Sequence, residues 1–358
     1  MQRYISWLQH HYPNICYSMH SCWHNFSSSE LNPYHLESDC WSHTMMVCKI
    51  AELEKSSLAV KVAALLHDIG KPLCREINPR NNHVRFFGHE GMSAYLSLEI
   101  LQKMAAEGVI EQKEISHIFA LVALHAVPYK VDSEQKFINK FRYTKQLFDD
   151  LALLSHCDNL GRYTSSPSSV RHIDIQEISG GLLTQEKEKE MTPLTIELLV
   201  GVSNSGKTTY TSRRIEEGFD GVVISRDALV MKYGKGETYN ACWDSLSSKQ
   251  QDKINEELDN QFLEAVKNKK HIIVDMMNLS RQSRQLWLGR IPVHYHKKAT
   301  LFLTPYSEIL RRNEGQKCFK YLKREILDGM VKRFEYPLYD EIDELKCIET
   351  NMIDHGQK

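Results

Sequence analysis

Two constellations in this sequence carry chemistry. The first is Gly201-Val202-Ser203-Asn204-Ser205-Gly206-Lys207-Thr208, which satisfies the pattern GxxxxGK[ST]. Its glycines permit a tight turn in which successive backbone N–H groups surround phosphate oxygens at a helix N-terminus. Gly201, Ser203, Asn204, Ser205, Gly206, Lys207, Thr208 and Thr209 are therefore the expected phosphate-binding residues. Lys207 would reach the β and γ oxygens of ATP, and Thr208 would offer its hydroxyl to Mg²⁺. The second constellation is built of imidazoles and carboxylates. His67 and Asp68 are adjacent at the end of an apolar stretch, while His43, His89, His125 and Asp158 stand in separate segments. Such side chains share a divalent metal if their segments converge.

More charged residues follow the phosphate loop. Ile224-Ser225-Arg226-Asp227 places a carboxylate at the end of a short apolar run, where it can take a proton from an attacking hydroxyl; a helix N-cap would look the same. Asp275 heads Asp275-Met276-Met277-Asn278-Leu279-Ser280-Arg281 and fits either a carboxylate near Mg²⁺ or a turn former. Arg311, Arg312, Lys317, Lys320, Lys323 and Arg324 suit a lid closing on phosphates or a solvated helix face.

These residues need elements to hold them. Up to about residue 180 the apolar spacing is helical, as in Met46, Val47, Ile50 and Ala51 or Ile115, Ile118, Phe119 and Val122. Beyond it, short apolar runs at Ile196–Val200, Val222–Ile224, Ile272–Val274 and Ala299–Leu303 alternate with helical stretches, the signature of a parallel sheet wrapped by helices. Between them, Gly180-Gly181, the charged run 185–190 and Pro193 read as a linker. The expected organisation is an all-helical domain over 1–180, a linker over 181–193 and a phosphate-binding α/β domain over 194–358.

Composition narrows the partners. A net charge of −1, from 45 basic and 46 acidic side chains, gives no whole-chain positive field, so any nucleic acid must be held by local patches. Nine scattered cysteines without a paired CxxC read as reduced thiols. With neither a signal-like N-terminus nor a long apolar run, a cytoplasmic protein with no membrane partner is expected. Cys16, His20, Cys22 and His24 follow no trusted zinc spacing, and the roles of His35 and Arg85 stay open.

The points GVSNSGKT (201–208), SRD (225–227), VDMMNLS (274–280) and RRN (311–313) with FEYP (334–337) resemble the 5′-hydroxyl polynucleotide kinase group of P-loop enzymes. The resemblance covers about the last 160 residues. It implies Asp227 as general base for a 5′-OH, Lys207 and Thr208 on ATP–Mg²⁺, and an arginine from 311–312, taken as Arg312, on the transferring phosphate. Val230 stands where relatives often carry an acceptor-binding arginine, and a second lid arginine is missing near Gln316.

The order His43, His67-Asp68, His89, His125, Asp158 resembles the HD phosphohydrolase superfamily. By that resemblance His43, His67, Asp68 and Asp158 hold one divalent metal, and His89 and His125 share Asp68 around a second. Mn²⁺, Fe²⁺, Co²⁺, Ni²⁺ or Zn²⁺ suits such donors, and Asp68 takes a catalytic role through them. Lys71 and Arg162 are phosphate contacts or surface charges.

Both halves in this order are similar to the bifunctional HD-Pnk end-healing enzymes. That resemblance implies removal of 2′-, 3′- or 2′,3′-cyclic phosphate by the first domain and phosphorylation of 5′-OH ends by the second. The partners would be RNA or DNA ends, and a separate ligase would act afterwards. The alternative is a nucleotide-metabolism enzyme joining a mononucleotide phosphohydrolase to a small-molecule or nucleoside kinase. A regulatory module that senses a ligand is a third reading, which a full ligand set disfavours.

Overall fold

The computed structural model describes residues 1–25, 32, 35–80, 82–130, 145–165 and 194–350. The expected linker 181–193 lies outside them. The chain divides into two compact units, Met1–Glu186 with Val331–Tyr336, and Lys187–Met330 with Pro337–Lys358.

The first unit is helical. It contains α1 (Gln2–His11), α2 (Pro13–His20), α3 (Cys40–Leu53), α4 (Leu58–Leu66), α5 (Lys71–Cys74), α6 (His89–Ala106), α7 (Ile115–Leu124), α8 (Val127–Lys130) and α9 (Lys145–Leu160). A short antiparallel hairpin of β1 (Glu76–Ile77) and β2 (Val84–Arg85) is inserted before α6. Asp39 caps α3 by accepting from the Ser42 amide at 2.8 Å, and Ser57 caps α4 by accepting from Val60 at 3.2 Å.

Helix α4, LAVKVAALL, is apolar almost all round, which is stable only inside a core. Val60, Val62, Leu65 and Leu66 are fully buried, each contributing about 1.5–3 kcal/mol relative to exposure. Helix α7, ISHIFALVAL, is equally buried. Both rigid helices end on a candidate metal ligand, His67 after α4 and His125 after α7. Helix α9 buries Leu147, Phe148, Leu151 and Leu154 and delivers Asp158 near its C-terminus. Within this unit Phe334 meets the Tyr95 ring edge-on at 5.3 Å.

The second unit is built on five parallel strands among its described residues: β3 (Thr195–Val200), β4 (Gly221–Ile224), β5 (His271–Val274), β6 (His296–Leu303) and β7 (Glu344–Glu349). Their order is β4-β5-β3-β6-β7. The chain adds strands on one side of β3 and then on the other, so the loop after β3 sits where the order reverses, the usual ligand crevice of an open α/β sheet. Strand β3 from Ile196 and strand β6 from Ala299 are buried on both faces and apolar apart from Glu197 and Thr300. Strand β7, ELKCIE, is an edge strand with mixed exposure, and nothing in its pattern predicts it.

The helices of this unit are α10 (Lys207–Glu216), α11 (Arg226–Tyr233), α12 (Tyr239–Asp244), α13 (Ser248–Lys267), α14 (Arg281–Leu288), α15 (Tyr306–Gly315) and α16 (Arg324–Val331). Two buried charges are fully matched. Glu197 on β3 accepts from Tyr210, Arg214 and Thr300. Arg284, with no exposed surface, forks onto Glu341 at 2.7 and 3.1 Å and donates to the carbonyls of Asn278 and Leu279 at 3.1 Å. Losing either partner of that pair strands a charge in the core, which costs about 3–5 kcal/mol.

Candidate functional site

In the first unit all six expected ligands converge. His43 Nε2 lies 3.0 Å from Asp158 Oδ1, 3.4 Å from His67 Nε2 and 3.6 Å from Asp68 Oδ2. His67 Nε2 is 3.2 Å from the same Asp68 Oδ2. On the other side of Asp68, Oδ1 lies 3.5 Å from His89 Nε2 and 3.8 Å from His125 Nε2, and those two nitrogens are 3.2 Å apart. The carboxylate therefore turns one oxygen toward each of two imidazole groups. His43, His67 and Asp68 form one set able to hold a metal ion, and Asp68, His89 and His125 form another.

The tautomers are set locally. His67 Nδ1 lies 2.9 Å from the Ala64 carbonyl, His89 Nδ1 2.8 Å from Phe86, and His125 Nδ1 2.8 Å from Val122. A carbonyl only accepts, so each Nδ1 carries the proton and each Nε2 presents a lone pair to the centre. All three bonds reach back three residues, so the backbone turn itself aims each ring.

The carboxylate at the centre is short of hydrogen-bond partners, as a cation ligand would be. Both Asp68 oxygens are buried without a well-directed hydrogen bond. The Lys71 ammonium, itself buried, sits 2.7 Å from Oδ2 as a counter-charge. Burial raises the Asp68 carboxyl, but His67 and Lys71 outweigh it and hold the group well below the usual carboxylate range. Burial, with His89 and His67 close by, lowers His125 to about 4, which keeps its Nε2 free to donate.

Residues that the sequence reading did not place surround the ligands. Glu37 Oε1 lies 2.7 Å from His35 Nδ1 and 3.1 Å from His43 Nδ1, while Oε2 accepts from the Tyr163 amide at 3.1 Å. The Tyr129 hydroxyl donates to Asp158 Oδ2 at 3.0 Å. A lone Glu or Tyr carries no spacing signal, so only folding reveals them. His24, His35 and Glu37 form a third donor group. The rings of His24 and His35 are stacked at 4.4 Å, and Lys71 is 3.4 Å from His24 Nε2, an arrangement less suited to converging on an ion. Among the described residues Cys16, His20 and Cys22 join no such group.

Lys71 thus lies inside the cluster rather than on the surface. Arg162 packs over the Tyr129 ring at 5.1 Å and pairs with Asn159.

In the second unit the loop 201–206 has the geometry of a phosphate cradle. Gly206 adopts φ +100° and Asn204 +66°, and a Cβ on Gly201 would lie 2.5 Å from Ser205 Oγ. Lys207 Nζ curls back onto the carbonyls of Gly201 and Val202 at 2.9 and 2.7 Å, the place a phosphate would occupy for it. Burial lowers this lysine to about 8 despite Asp275 nearby. Thr208 and Thr209 face outward at the start of α10. Asp275 is half-buried at the end of β5, and burial raises its carboxyl although Lys207 opposes it. Asn278, at φ +46°, ties the carbonyls of Leu199 and Val274 together beside the loop.

Of the two lid arginines, Arg312 reaches the loop, donating to the Asn204 carbonyl at 3.1 Å and to Glu308 at 2.7 Å. Arg311 pairs with Glu308 alone. Ser203 and Ser205 are buried within the loop, and Ser205 offers its carbonyl to Thr304 at 3.0 Å. The cap of α11 is Ser225, whose Oγ faces the Ala228 amide at 3.5 Å. Asp227 lies in the first turn and is paired with Lys320. Val230, three residues after Asp227, has no exposed surface. Lys232 is held by Glu257 at 2.7 Å and Lys317 by Glu314.

Comparison with known proteins agrees with both halves. Residues 40–162 match the HD domain family and residues 196–337 match an AAA domain family. The chain carries an HD domain followed by a P-loop kinase-like domain. A multifunctional CCA protein of Herminiimonas arsenicoxydans is 31% identical over 135 residues, covering 36% of this chain and 31% of the relative. A CC-adding tRNA nucleotidyltransferase of Thermus thermophilus is 29% identical over 123 residues, covering 34% and 27%. The chain thus spans less than a third of these curated relatives. Two solved structures, titled as the Pnkp1/Rnl/Hen1 complex and the Pnkp1/Rnl/Hen1 RNA repair complex, share 20% identity. Their TM-scores are 0.30 and 0.35, with 38% and 42% of this chain covered and 43% and 46% of theirs. No helix among the described residues is long and apolar enough to cross a membrane.

Proposed function

We propose that this chain heals broken nucleic-acid ends, removing a terminal 2′-, 3′- or 2′,3′-cyclic phosphate in its HD unit and phosphorylating a 5′-OH in its P-loop unit. The observation that carries the reading is the split of Asp68 between two imidazole groups in one unit, joined in the same chain to a phosphate loop with Asp227 at the rim of its sheet. CCA-adding relatives match the HD half, so the phosphoesterase assignment rests on this donor set.

In the HD unit His43, His67, Asp68 and Asp158 would hold one divalent ion, and Asp68, His89 and His125 a second. When bound, such a pair supplies Lewis acidity and a water of lowered pKa. The chain itself orients the donors through the Nδ1 bonds described above and places Lys71 beside the bridging carboxylate.

In the P-loop unit Gly201, Ser203, Asn204, Ser205, Gly206, Thr208 and Thr209 would wrap the triphosphate, with Thr208 and Asp275 toward Mg²⁺. Asp227 takes the proton of the 5′-OH as its oxygen attacks the γ-phosphorus, and the bond to the β–γ bridging oxygen breaks to release ADP. Lys207 and Arg312 stabilise the charge that builds on the transferring group.

The test offers γ-labelled ATP with a 5′-OH oligonucleotide, a mononucleotide and a nucleoside side by side, and an oligonucleotide with a 2′,3′-cyclic end in the presence of Mn²⁺, Co²⁺ or Ni²⁺. Labelling of the oligonucleotide and opening of its cyclic end support the proposal. Labelling of the nucleoside alone would overturn it in favour of a nucleotide-metabolism enzyme.

A further inference from the structure

Helix α12 has no part in the phosphate loop, yet it stands beside Asp227. Tyr239 and Trp243, one turn apart, present rings inclined by only 17° with centroids 6.4 Å apart. Trp243 is 40% exposed, a large apolar surface to leave in water next to a reaction centre. Each ring has a cation over it. Lys320 Nζ lies 4.2 Å from the Tyr239 centroid, and Arg226 lies 5.8 Å from that of Trp243.

The same lysine pairs with Asp227, and burial together with the charge of that carboxylate raises the Tyr239 phenol. Asn240 holds the arrangement in place. Its amide donates to the Phe319 carbonyl at 3.2 Å, and its side chain donates to the Tyr321 carbonyl at 2.8 Å. Lys320 sits between those two anchored residues, so its position over Asp227 is built rather than incidental.

Aromatic faces flanked by cations are what a single-stranded nucleic acid needs, since every base has a π-face and every linkage a negative charge. We propose that Tyr239 and Trp243 form the platform on which the 5′-terminal nucleoside of the acceptor strand stacks, with Lys320 exchanging Asp227 for the next phosphate. This rests on the kinase reading above. Departure of Lys320 to a phosphate frees Asp227 to act as base only once an acceptor is present.

A structural alternative is an aromatic pair that merely stiffens a short helix. The experiment therefore compares two oligonucleotides with the same 5′-OH and phosphates, one ending in a nucleoside and one in an abasic tetrahydrofuran residue. The full chain should show an acceptor KM about tenfold higher for the abasic end. Trp243→Ala and Tyr239→Ala, each checked for folding by retained ATP binding, should bring the two KM values together. Trp243→Phe should restore the preference, and Lys320→Ala should raise both KM values. If wild type accepts both ends equally well, the platform is overturned while the kinase reading stands. If wild type phosphorylates neither, the kinase reading fails and the platform with it. Ala variants that keep the full preference would reduce the pair to a structural role.

Discussion

Glu37 places its Oε1 3.1 Å from Nδ1 of His43, on the opposite edge of the imidazole from the nitrogen that faces Asp158. The contact lacks the direction of a full hydrogen bond, so the carboxylate acts on the ring chiefly through its charge, and losing such a partner typically weakens metal binding about 10–100-fold. Glu37→Gln should therefore lower affinity for Co²⁺ or Mn²⁺ by that order while the far-ultraviolet circular dichroism is unchanged. An unchanged affinity would show that the ring is held by packing alone.

The HD unit should bind two ions. Wild type should contain about two equivalents of divalent metal, and His125→Ala about one, because only the second donor set loses a member. Asp68→Ala should empty both. Elemental analysis of the purified proteins decides the matter, and a wild-type content near one that His125→Ala does not change would mean a mononuclear site.

The two activities should separate. Lys207→Ala or Asp227→Ala should reduce phosphate transfer by about 100-fold or more, and hydrolysis of a 2′,3′-cyclic end should persist. Asp68→Ala should do the reverse, since its carboxylate belongs to the other compact unit. Loss of hydrolysis in a folded Lys207→Ala protein would count against placing that activity in the HD unit.

Glu308 links acid stability to the lid. Its hydrogen bond from Arg311, and then that from Arg312, hold the carboxyl down to about 2 in spite of burial. An unfolded glutamate titrates near about 4.3. A depressed folded value means the stabilisation is complete above the unfolded value and fades as pH falls from there toward 2. Denaturation midpoints measured across that window should fall less steeply for Glu308→Gln than for wild type. The same substitution should slow phosphate transfer at neutral pH, because Arg312 loses its anchor beside Asn204.

Val230→Arg should destabilise the protein instead of tightening its acceptor. The position has no exposed surface, so a guanidinium there is an unmatched buried charge, costing about 3–5 kcal/mol. Chemical unfolding of the variant measures it. A variant of wild-type stability with a lowered acceptor KM would show that α11 can turn its inner face outward.

What the sequence disclosed was what it holds contiguously. The loop 201–208 is a local motif whose backbone carries the chemistry, and β3 and β6 are apolar runs long enough to stand out. His43, His67, Asp68, His89, His125 and Asp158 could be picked out by type and order, and the buried helices α4 and α7 explain why His67 and His125 are aimed well. Glu37, Tyr129 and the platform on α12 were invisible because their meaning is a distance across the fold and not a spacing along the chain. The burial of Val230 was equally illegible: three residues after Asp227 is nearly the same side of a helix, but α11 is short and buries Leu229 and Val230 together. Strand β7 escaped because an edge strand needs no continuous apolar run.

The fork of Arg284 on Glu341 sets a rule for anyone dividing this chain into parts. The residues expected to hold phosphate run from Gly201 to Arg324, so a kinase fragment could be cut between Arg324 and Glu341 without removing any of them. Such a fragment would nonetheless keep a guanidinium in its core with no carboxylate to meet it, and would lose β7 from the margin of the sheet. Solubility on expression, and not catalytic competence, would then report the cut, and a useful excised kinase has to run through Glu349.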